Sequence, residues 1–293
     1  MSWIYSRKCW KPCHFNFPFC VLQLGMQIIS NKYLTLSVSE EGAEARSIIY
    51  KGEERLYQGD QGWKRRSPIL FPWAGRLRNL TYTYDGVAYS LPQHGFARDH
   101  ILEVTEKKED SVTFRLLSDE NTLLSYPRAF ALYVTYRLEG NTLRFSMAVE
   151  NRSGKEMTFG IGVHPGFILR GGEERLEIEG GDGNFILLDK NGSRDESSEV
   201  GGSSIPLSFF RDNRTLIIPG ARKAILKENL ELDMGDWQNL VVWRNGCDSF
   251  LCLEPWANLP SRDGEEENFN TRGNVQRLAP GEMWKEECSF TFL

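Results

Sequence analysis

The stretch FALYVTYRLEGNTLRFSMAV, residues 130–149, decides the fold of this chain. Apolar and polar side chains alternate through both of its halves, and a period of two is typical of a β-strand with one buried face. Gly140 and Asn141 separate the halves, and both residue types favour tight turns. The stretch therefore predicts two long antiparallel strands joined by a short turn.

The same alternation recurs along the chain from Met26 onward. YLTLSV (33–38) and SVTFRLL (111–117) repeat it, and TYTYDGVAYSL (81–91) indicates a hairpin around Asp85-Gly86. Further strands are expected at 184–188, 215–218, 240–243, 249–254 and 289–293. Only residues 118–127 indicate a helix, a short one that ends at Pro127. Many strands without a fixed repeat length and with very little helix predict an all-β fold, an antiparallel β-sandwich or barrel.

Composition excludes several classes of protein. Of the 293 residues, 40% are hydrophobic and 26% charged, as in globular proteins, and the net charge of −5 argues against a nucleic-acid partner. No apolar run approaches the roughly 20 residues of a membrane-spanning helix, so we expect no membrane partner. The six cysteines show no CxxC spacing, and a disulfide framework is not expected in so large a domain. We therefore expect a cytoplasmic location.

The first 25 residues, MSWIYSRKCWKPCHFNFPFCVLQLG, have no alternating pattern. Prolines and polar residues interrupt their apolar stretch, which argues against a signal peptide. The spacing of Cys9, Cys13, His14 and Cys20 fits no standard zinc pattern. We interpret residues 1–25 as an N-terminal extension outside the fold and residues 26–293 as a single domain.

A histidine follows the glycine-rich segment TFGIGVHPGF (158–167). On a strand, Gly160, Gly162 and His164 lie on one face, which carries almost no side chain before the histidine. Glycines weaken a strand unless something approaches the backbone closely, so this face predicts a hollow with an imidazole at its rim. The alternative is a strand-end histidine capped by a turn.

A glutamate occupies a similar place in SFLCLEPW (249–256). Glu254 ends an apolar strand, where a buried and unpaired carboxylate is costly. It is expected at a cleft, with its pKa raised by partial desolvation. The alternative is a solvated glutamate, and Trp256 serves either a sugar ring or the core.

Two further segments carry candidate residues. SPILFPWAGRL (67–77) contains Arg76, whose fork suits hydroxyl and carboxylate groups, although a surface charge explains it equally well. QHGFARDH (93–100) holds His94 and His100, half of the four histidines of the chain. A metal site of His94, His164 and Glu254 is not expected, because no HxH pair is present.

One histidine and one glutamate at two strand ends suggest a proton donor and a proton acceptor. Such chemistry at neutral pH requires groups with pKa values near 7, which predicts a bell-shaped dependence of kcat/KM on pH. No GxSxG motif and no Gly-rich phosphate loop are present, so neither a serine nucleophile nor a nucleotide cofactor is indicated.

In order, the segments SPILFPWAGRL, QHGFARD, SYPRAFALYVTYRLEGNTL, GIGVHPGF, CLEPW and LAPGE resemble the aldose 1-epimerase (galactose mutarotase) family over residues 26–293. The resemblance is greatest to a short, uncharacterised bacterial branch. It implies a large β-sandwich with a sugar-binding cleft, a small-molecule sugar as partner, a role in carbohydrate metabolism, and neither a cofactor nor a metal. A monomer or weak homodimer is expected.

The resemblance also implies roles for individual residues. His164 corresponds to the acid that protonates the ring oxygen, and Glu254 corresponds to the base that takes the proton from the anomeric hydroxyl. Arg76 and His94 correspond to residues that orient the sugar. The family's mid-chain aspartate has its nearest match in FFRDNRT (209–215), where Asp212 or Asn213 occupies the position and Asp212 is favoured.

Two alternatives to a free-aldose epimerase remain. A sister branch acts on hexose 6-phosphates, and Lys64, Arg65, Arg66 and Arg98 are candidates for a phosphate site, although WKRRS equally fits a solvated basic turn. A non-catalytic carbohydrate-binding protein is the second alternative. Such a protein has no need of an acid and a base on two different strands, so the His164–Glu254 pair favours an enzyme.

Overall fold

A computed structural model describes residues 25–60, 62–172, 174–181, 183, 185–195, 202–246 and 249–293. The expected N-terminal extension lies outside these residues except for Gly25. The strands, numbered in chain order, are β1 (Met26–Ser30), β2 (Leu34–Ser39), β3 (Ala45–Tyr50), β4 (Glu53–Glu54), β5 (Ile69–Leu70), β6 (Thr81–Tyr84), β7 (Val87–Ser90), β8 (Glu103–Lys107), β9 (Ser111–Leu117), β10 (Phe130–Glu139), β11 (Thr142–Asn151), β12 (Met157–Phe159), β13 (Gly162–Val163), β14 (Gly166–Ile168), β15 (Arg175–Gly180), β16 (Ile186–Leu188), β17 (Arg194–Asp195), β18 (Ser204–Pro206), β19 (Thr215–Pro219), β20 (Ala221–Leu226), β21 (Leu230–Asp233), β22 (Asn239–Trp243), β23 (Phe250–Trp256), β24 (Gln276–Leu278) and β25 (Met283–Phe292).

Helix is scarce in the described part of the chain. The α-helix α1 covers Glu120–Ser125, and 3-10 turns cover Arg78–Leu80, Ala97–Asp99 and Leu207–Asp212. The Asp119 side chain caps α1 by accepting a hydrogen bond from the Thr122 backbone N–H. Within the described residues, no helix is long and apolar enough to cross a membrane. The expectation of an all-β fold with one short helix is confirmed.

Two large antiparallel sheets form the framework. The nine-stranded sheet has the order β18-β15-β20-β21-β25-β11-β10-β9-β8, and the eight-stranded sheet has the order β17-β16-β19-β22-β23-β13-β5, with β14 also paired to β23. The strands predicted from residues 130–149 pair from Phe130 opposite Asn151 to Glu139 opposite Thr142. The hairpin at Asp85-Gly86 joins β6 to β7, and both turn residues have positive φ.

The core lies between the two large sheets. Val134 and Tyr136 of β10 belong to the same buried cluster as Leu251 and Leu253 of β23. This arrangement is a β-sandwich, and it buries one face of β23 against the nine-stranded sheet. The other face of β23 carries Phe250, Cys252, Glu254 and Trp256, because side chains alternate along a strand. That second face forms the floor of the candidate site.

Some expected boundaries differ from those observed. The last strand begins at Met283, six residues before the expected residue 289. Residues 158–164 do not form a single strand, since β12 pairs with β24 whereas β13 pairs with β23 and β5. The break between β12 and β13 allows the chain to pass from the small sheet into the eight-stranded sheet just before His164.

Candidate acid-base site

His164 and Glu254 meet in one cavity on the outer face of the eight-stranded sheet. The imidazole follows β13 immediately, the carboxylate projects from β23, and these strands are neighbours. His164 Nδ1 lies 3.3 Å from Glu254 Oε1. His164 is 7% exposed and Glu254 is 1% exposed. The two strand ends therefore place an acid–base pair at one point, although 90 residues separate them in the chain.

The cavity has a volume of about 620 Å³, enough for a small-molecule ligand. All six side chains predicted for the site line it, in spite of their distribution over five segments of the chain. They are Arg76, His94, Arg98, His164, Asp212 and Glu254. Sequence reasoning missed other lining residues, and these include Trp63, Gln93, Asp189, Lys190, Arg214 and Trp243.

Burial moves the pKa values of the acid–base pair in opposite directions. It lowers the pKa of His164 to about 3, and it raises the pKa of Glu254 well above its usual 4.5. Both shifts disfavour charge, so they favour the form in which the pair holds one proton and has no net charge. When that proton is on the imidazole, the cavity presents an acid beside a base, with 3.3 Å between Nδ1 and Oε1.

Trp256 orients the carboxylate of Glu254. Its Nε1–H donates a hydrogen bond to Glu254 Oε2 at 3.1 Å. The indole occupies the space above Gly162, where a Cβ would lie 2.7 Å from Trp256 Cδ1. At Gly160 a Cβ would meet the Asn258 side chain at 2.5 Å. The expectation that these glycines leave a hollow is therefore wrong, because neighbouring side chains fill the space above both of them.

His94 is held as a neutral hydrogen-bond donor. Its Nδ1 accepts a hydrogen bond from the Gly75 backbone N–H at 3.1 Å, which leaves the ring proton on Nε2. Burial, with the nearby His164 and Arg98, lowers the pKa of His94 well below 6.5. The His94 and His164 ring centroids lie 5.5 Å apart. His94 thus lies beside the acid–base pair, with its Nε2 atom 3.2 Å from the Gln93 side-chain amide.

A tight turn delivers His94 to this position. His94 and Gly95 both have positive φ, and a Cβ at residue 95 would lie 2.2 Å from the Phe71 carbonyl oxygen. Glycine is therefore required at residue 95, because backbone atoms cannot yield as a side chain can. His100 belongs to the following turn, where Nδ1 lies 2.9 Å from the Phe96 carbonyl oxygen.

The two predicted arginines differ in their surroundings. Arg76 is exposed at the cavity mouth, and it forms no hydrogen bond or ion pair with the residues that the structure describes. Arg98 is half-buried, donates a hydrogen bond to the Gln93 carbonyl oxygen at 2.8 Å, and has its pKa lowered by burial. A ligand therefore meets one exposed cation, Arg76, and one half-buried cation, Arg98.

The basic turn WKRRS does not supply the phosphate site considered from the sequence. Arg65 pairs with Asp99, and Arg66 donates a hydrogen bond to the Gln58 carbonyl oxygen. Lys64, Arg65 and Arg66 do not line the cavity. Of that set of four cations, only Arg98 does.

Asp212 and Asn213 both line the cavity, but they face different partners. Asp212 pairs with Arg214 at 3.2 Å, and its side chain is 75% exposed. Asn213 is held in a left-handed conformation, and its Oδ1 accepts a hydrogen bond from Trp243 Nε1 at 2.9 Å. Asn213 therefore supports an aromatic wall of the cavity, whereas Asp212 leaves its carboxylate at the rim.

Among the described residues, one group of three side chains has the donor atoms and spacing that metal binding requires. Donor atoms of His164, Cys252 and Glu254 lie within 4.8 Å of one another. The triad of His94, His164 and Glu254 considered from the sequence does not form such a group in the described part of the chain. The absence of a bound metal stays a prediction, to be tested by metal analysis of protein purified without chelator.

Fold and cavity together define the class: a large β-sandwich with a buried acid–base pair, arginines and indole rings around a cavity suited to a small polar ring. Residues 26–291 match the family model described as aldose 1-epimerase. The chain belongs to the aldose 1-epimerase family, and it is an isomerase of the mutarotase type.

The relatives and solved structures agree with this assignment. Chromosomal protein LacX of Lactococcus lactis subsp. lactis is 29% identical over 310 residues, which cover 90% of this chain and 98% of the relative. A galactose mutarotase related enzyme from Lactobacillus acidophilus superposes with a TM-score of 0.85 at 29% identity, covering 92% of this chain and 97% of that one. A galactose mutarotase-like protein from Lactobacillus casei gives 0.83 at 27% identity, covering 92% and 100%.

Proposed function

We propose that the protein interconverts the α and β anomers of a free aldose, namely a hexose. His164 acts as the acid and Glu254 acts as the base. The observation that carries the proposal is the 3.3 Å approach of Nδ1 to Oε1 inside one cavity. Anomer exchange requires one proton to leave the anomeric hydroxyl and one to reach the ring oxygen. A buried pair that shares one proton can perform both transfers without a net change in charge.

The reaction begins with the shared proton on His164. Glu254 takes the proton of the anomeric hydroxyl, the bond between C1 and the ring oxygen breaks, and His164 donates its proton to that oxygen. Rotation about the C1–C2 bond presents the other face of the aldehyde. Closure reverses both transfers and restores the pair, so the reaction consumes no cofactor.

The other lining residues are assigned to sugar binding. His94 Nε2–H is suited to stabilise negative charge near the ring oxygen, because the Gly75 N–H fixes its tautomer and burial keeps it neutral. Arg76, Arg98 and Asp212 are assigned to sugar hydroxyls. Trp256 offers an apolar face beside Glu254.

Polarimetry of freshly dissolved α-glucose and α-galactose tests the proposal. The protein is expected to accelerate mutarotation, and His164→Gln and Glu254→Gln are each expected to lower kcat by about 10²- to 10⁴-fold. His100→Gln and Glu266→Gln are matched controls outside the cavity and should retain the activity. Variants as active as the wild type would refute the assigned roles, and a wild-type rate equal to that of buffer would refute the activity on these sugars.

A hexose 6-phosphate is a second candidate substrate. The specific observation is that Arg76, Arg98, Lys190 and Arg214 line the cavity, against the carboxylates of Asp189, Asp212 and Glu254. Cations near a sugar ring suit a phosphate group. Polarimetry with glucose 6-phosphate distinguishes the candidates: a higher kcat/KM than for glucose, lowered by Arg76→Gln, favours the phosphate.

A non-catalytic sugar-binding role is the alternative of another class, and sugar binding without accelerated mutarotation would support it.

We further propose a cytoplasmic location, a monomer or weak homodimer, and no nucleic-acid partner. Cys288 is buried and free of disulfides, which supports a reducing compartment. Sedimentation analysis and cell fractionation test these proposals.

A further inference from the structure

Trp63 covers one face of the His164 imidazole. The two rings stack with centroids 4.8 Å apart and planes inclined by 30°. The Trp243 ring is nearly perpendicular to the same imidazole, with centroids 5.4 Å apart and planes at 85°. The three rings form one cluster, since the Trp63 and Trp243 centroids are themselves 5.5 Å apart.

The Trp63 indole is itself fixed by the strands that carry the acid–base pair. It stacks on Phe250 of β23 at 5.6 Å and 15°, and on Tyr57 at 5.8 Å and 11°. Its ring also lies over Gly166 of β14, where a Cβ would be 2.9 Å from Trp63 Cζ3. The indole is thus an ordered wall of the cavity, although it belongs to the segment between β4 and β5 rather than to a strand.

Hydrogen bonds do not explain what holds the His164 imidazole in its orientation. His164 Nδ1 is buried and has no hydrogen-bond partner among the described residues, although Glu254 Oε1 is 3.3 Å away. Rotation about χ2 of histidine is broad when no hydrogen bond limits it. Packing against the indole rings must therefore supply the restraint that a hydrogen bond to the second ring nitrogen supplies in other catalytic histidines.

We propose that Trp63 is a positioning residue, which holds the His164 imidazole facing Glu254 and keeps water from its covered face. The catalytic part of this inference rests on the proposed epimerase function. The structural part concerns the environment of His164 alone and is measurable without substrate.

The kinetic test compares Trp63→Ala with Trp63→Phe. The alanine variant is expected to lower kcat by about 10- to 100-fold, with a smaller change in KM, because misplacing a reacting group by about 1 Å costs up to about 100-fold. Phenylalanine retains a stacking ring, so Trp63→Phe should keep most of the wild-type kcat. Trp284→Phe, a change in a tryptophan of β25 outside the cavity, is the control and should not change kcat. A rise in KM alone, or an unchanged kcat in Trp63→Ala, would overturn the positioning role.

Histidine NMR supplies a readout that does not depend on turnover. The chain has four histidines, so the His164 ring signal is identified by its loss in His164→Gln. In Trp63→Ala this signal should move as the ring current of the indole is lost, and its titration should shift toward the usual histidine range. Trp63→Phe should change the His164 ring signal and its titration much less. Melting curves verify that each variant is folded.

The NMR result separates the two hypotheses. An altered His164 signal in a protein without mutarotase activity would refute the proposed function and leave the contact established. A His164 signal unchanged in Trp63→Ala would overturn the inference, whatever the activity.

Discussion

Glu254 is the residue at which function and stability are most directly opposed. It is 1% exposed, and Trp256 Nε1–H donates a hydrogen bond to its carboxylate. Burying a carboxylate with so few donors is costly in the ionised form, so the folded chain retains the proton that the unfolded chain loses. In its ionised form Glu254 therefore destabilises the fold, although this carboxylate is the group of β23 that is assigned as the base.

Replacing Glu254 by glutamine is expected to stabilise the protein. The pKa of Glu254 is raised in the folded state, so its favourable contribution is complete below pH 4.5 and is lost as the pH rises toward the folded pKa. Glutamine cannot ionise, and we expect a gain of about 1 kcal/mol in the free energy of unfolding near neutral pH, which increases with pH. Thermal melts of wild type and Glu254→Gln from about pH 5 to pH 9 measure it. Glu266→Gln, an exposed control, should show no such trend, and a Glu254→Gln variant less stable at all pH values would contradict the argument.

The pH dependence of kcat/KM is expected to be a wide bell. The sequence led us to expect two groups titrating near pH 7, but burial lowers the pKa of His164 to about 3 and raises that of Glu254. The form with one shared proton therefore persists across neutrality, with an alkaline limb when Glu254 loses this proton and an acid limb well below pH 6.5. Initial rates by polarimetry, with circular dichroism to verify folding, test this. An acid limb centred near pH 6.5 would mean that His164 titrates as an exposed histidine does.

At the scale of elements, neighbouring strands of the eight-stranded sheet assemble the acid–base pair. Gly162 of β13 pairs with Trp256 of β23, and this register places His164, two residues further along, beside Glu254. Alternation along β23 was readable from the sequence. The pairing of β13 with β23 was not, because it depends on contacts between segments about 90 residues apart.

Gly162→Ala is expected to impair both stability and activity. The new Cβ would lie 2.7 Å from Trp256 Cδ1 and 2.9 Å from the Pro255 carbonyl oxygen, so the indole must move away from Glu254. We expect a loss of about 1–3 kcal/mol in the free energy of unfolding and a lower kcat. Thermal melts and polarimetry measure both. Gly154→Ala is the matched control, since nothing lies within 4 Å of its added Cβ. If Gly162→Ala behaved like this control, the close packing of Trp256 on β13 would be contradicted.

At the scale of the whole molecule, the sandwich is the rigid support that brings the five segments of the predicted site residues to one cavity. One face of β23 is buried in the core with β10, and the other forms the floor of the site. The family match begins at Met26, where β1 also begins. The framework that supports the site therefore lies within the matched residues.

Deletion of residues 1–25 is expected to leave the melting temperature and the mutarotation rate unchanged. The reason is that all lining residues of the cavity and all described strands lie at or after Met26. Differential scanning calorimetry and polarimetry of the full and shortened chains provide the measurement. A shortened chain that melts earlier or loses activity would mean that the N-terminal segment is part of the folded unit.

The sequence by itself determined the all-β class, most strand positions, the Asp85-Gly86 turn and the six side chains proposed for the site. The first three follow from the period of two and from local turn chemistry, and the six side chains follow from the resemblance of contiguous motifs to the aldose 1-epimerase family. Only the tertiary structure decided that Trp256 and Asn258 fill the space above the glycines, that Asn213 supports Trp243, and that Trp63 covers His164. Those contacts join segments far apart in the chain, and no local pattern encodes which side chain fills a gap left by another. The opposed pKa shifts of His164 and Glu254 have the same origin, since burial is a property of the assembled sandwich and not of either strand alone.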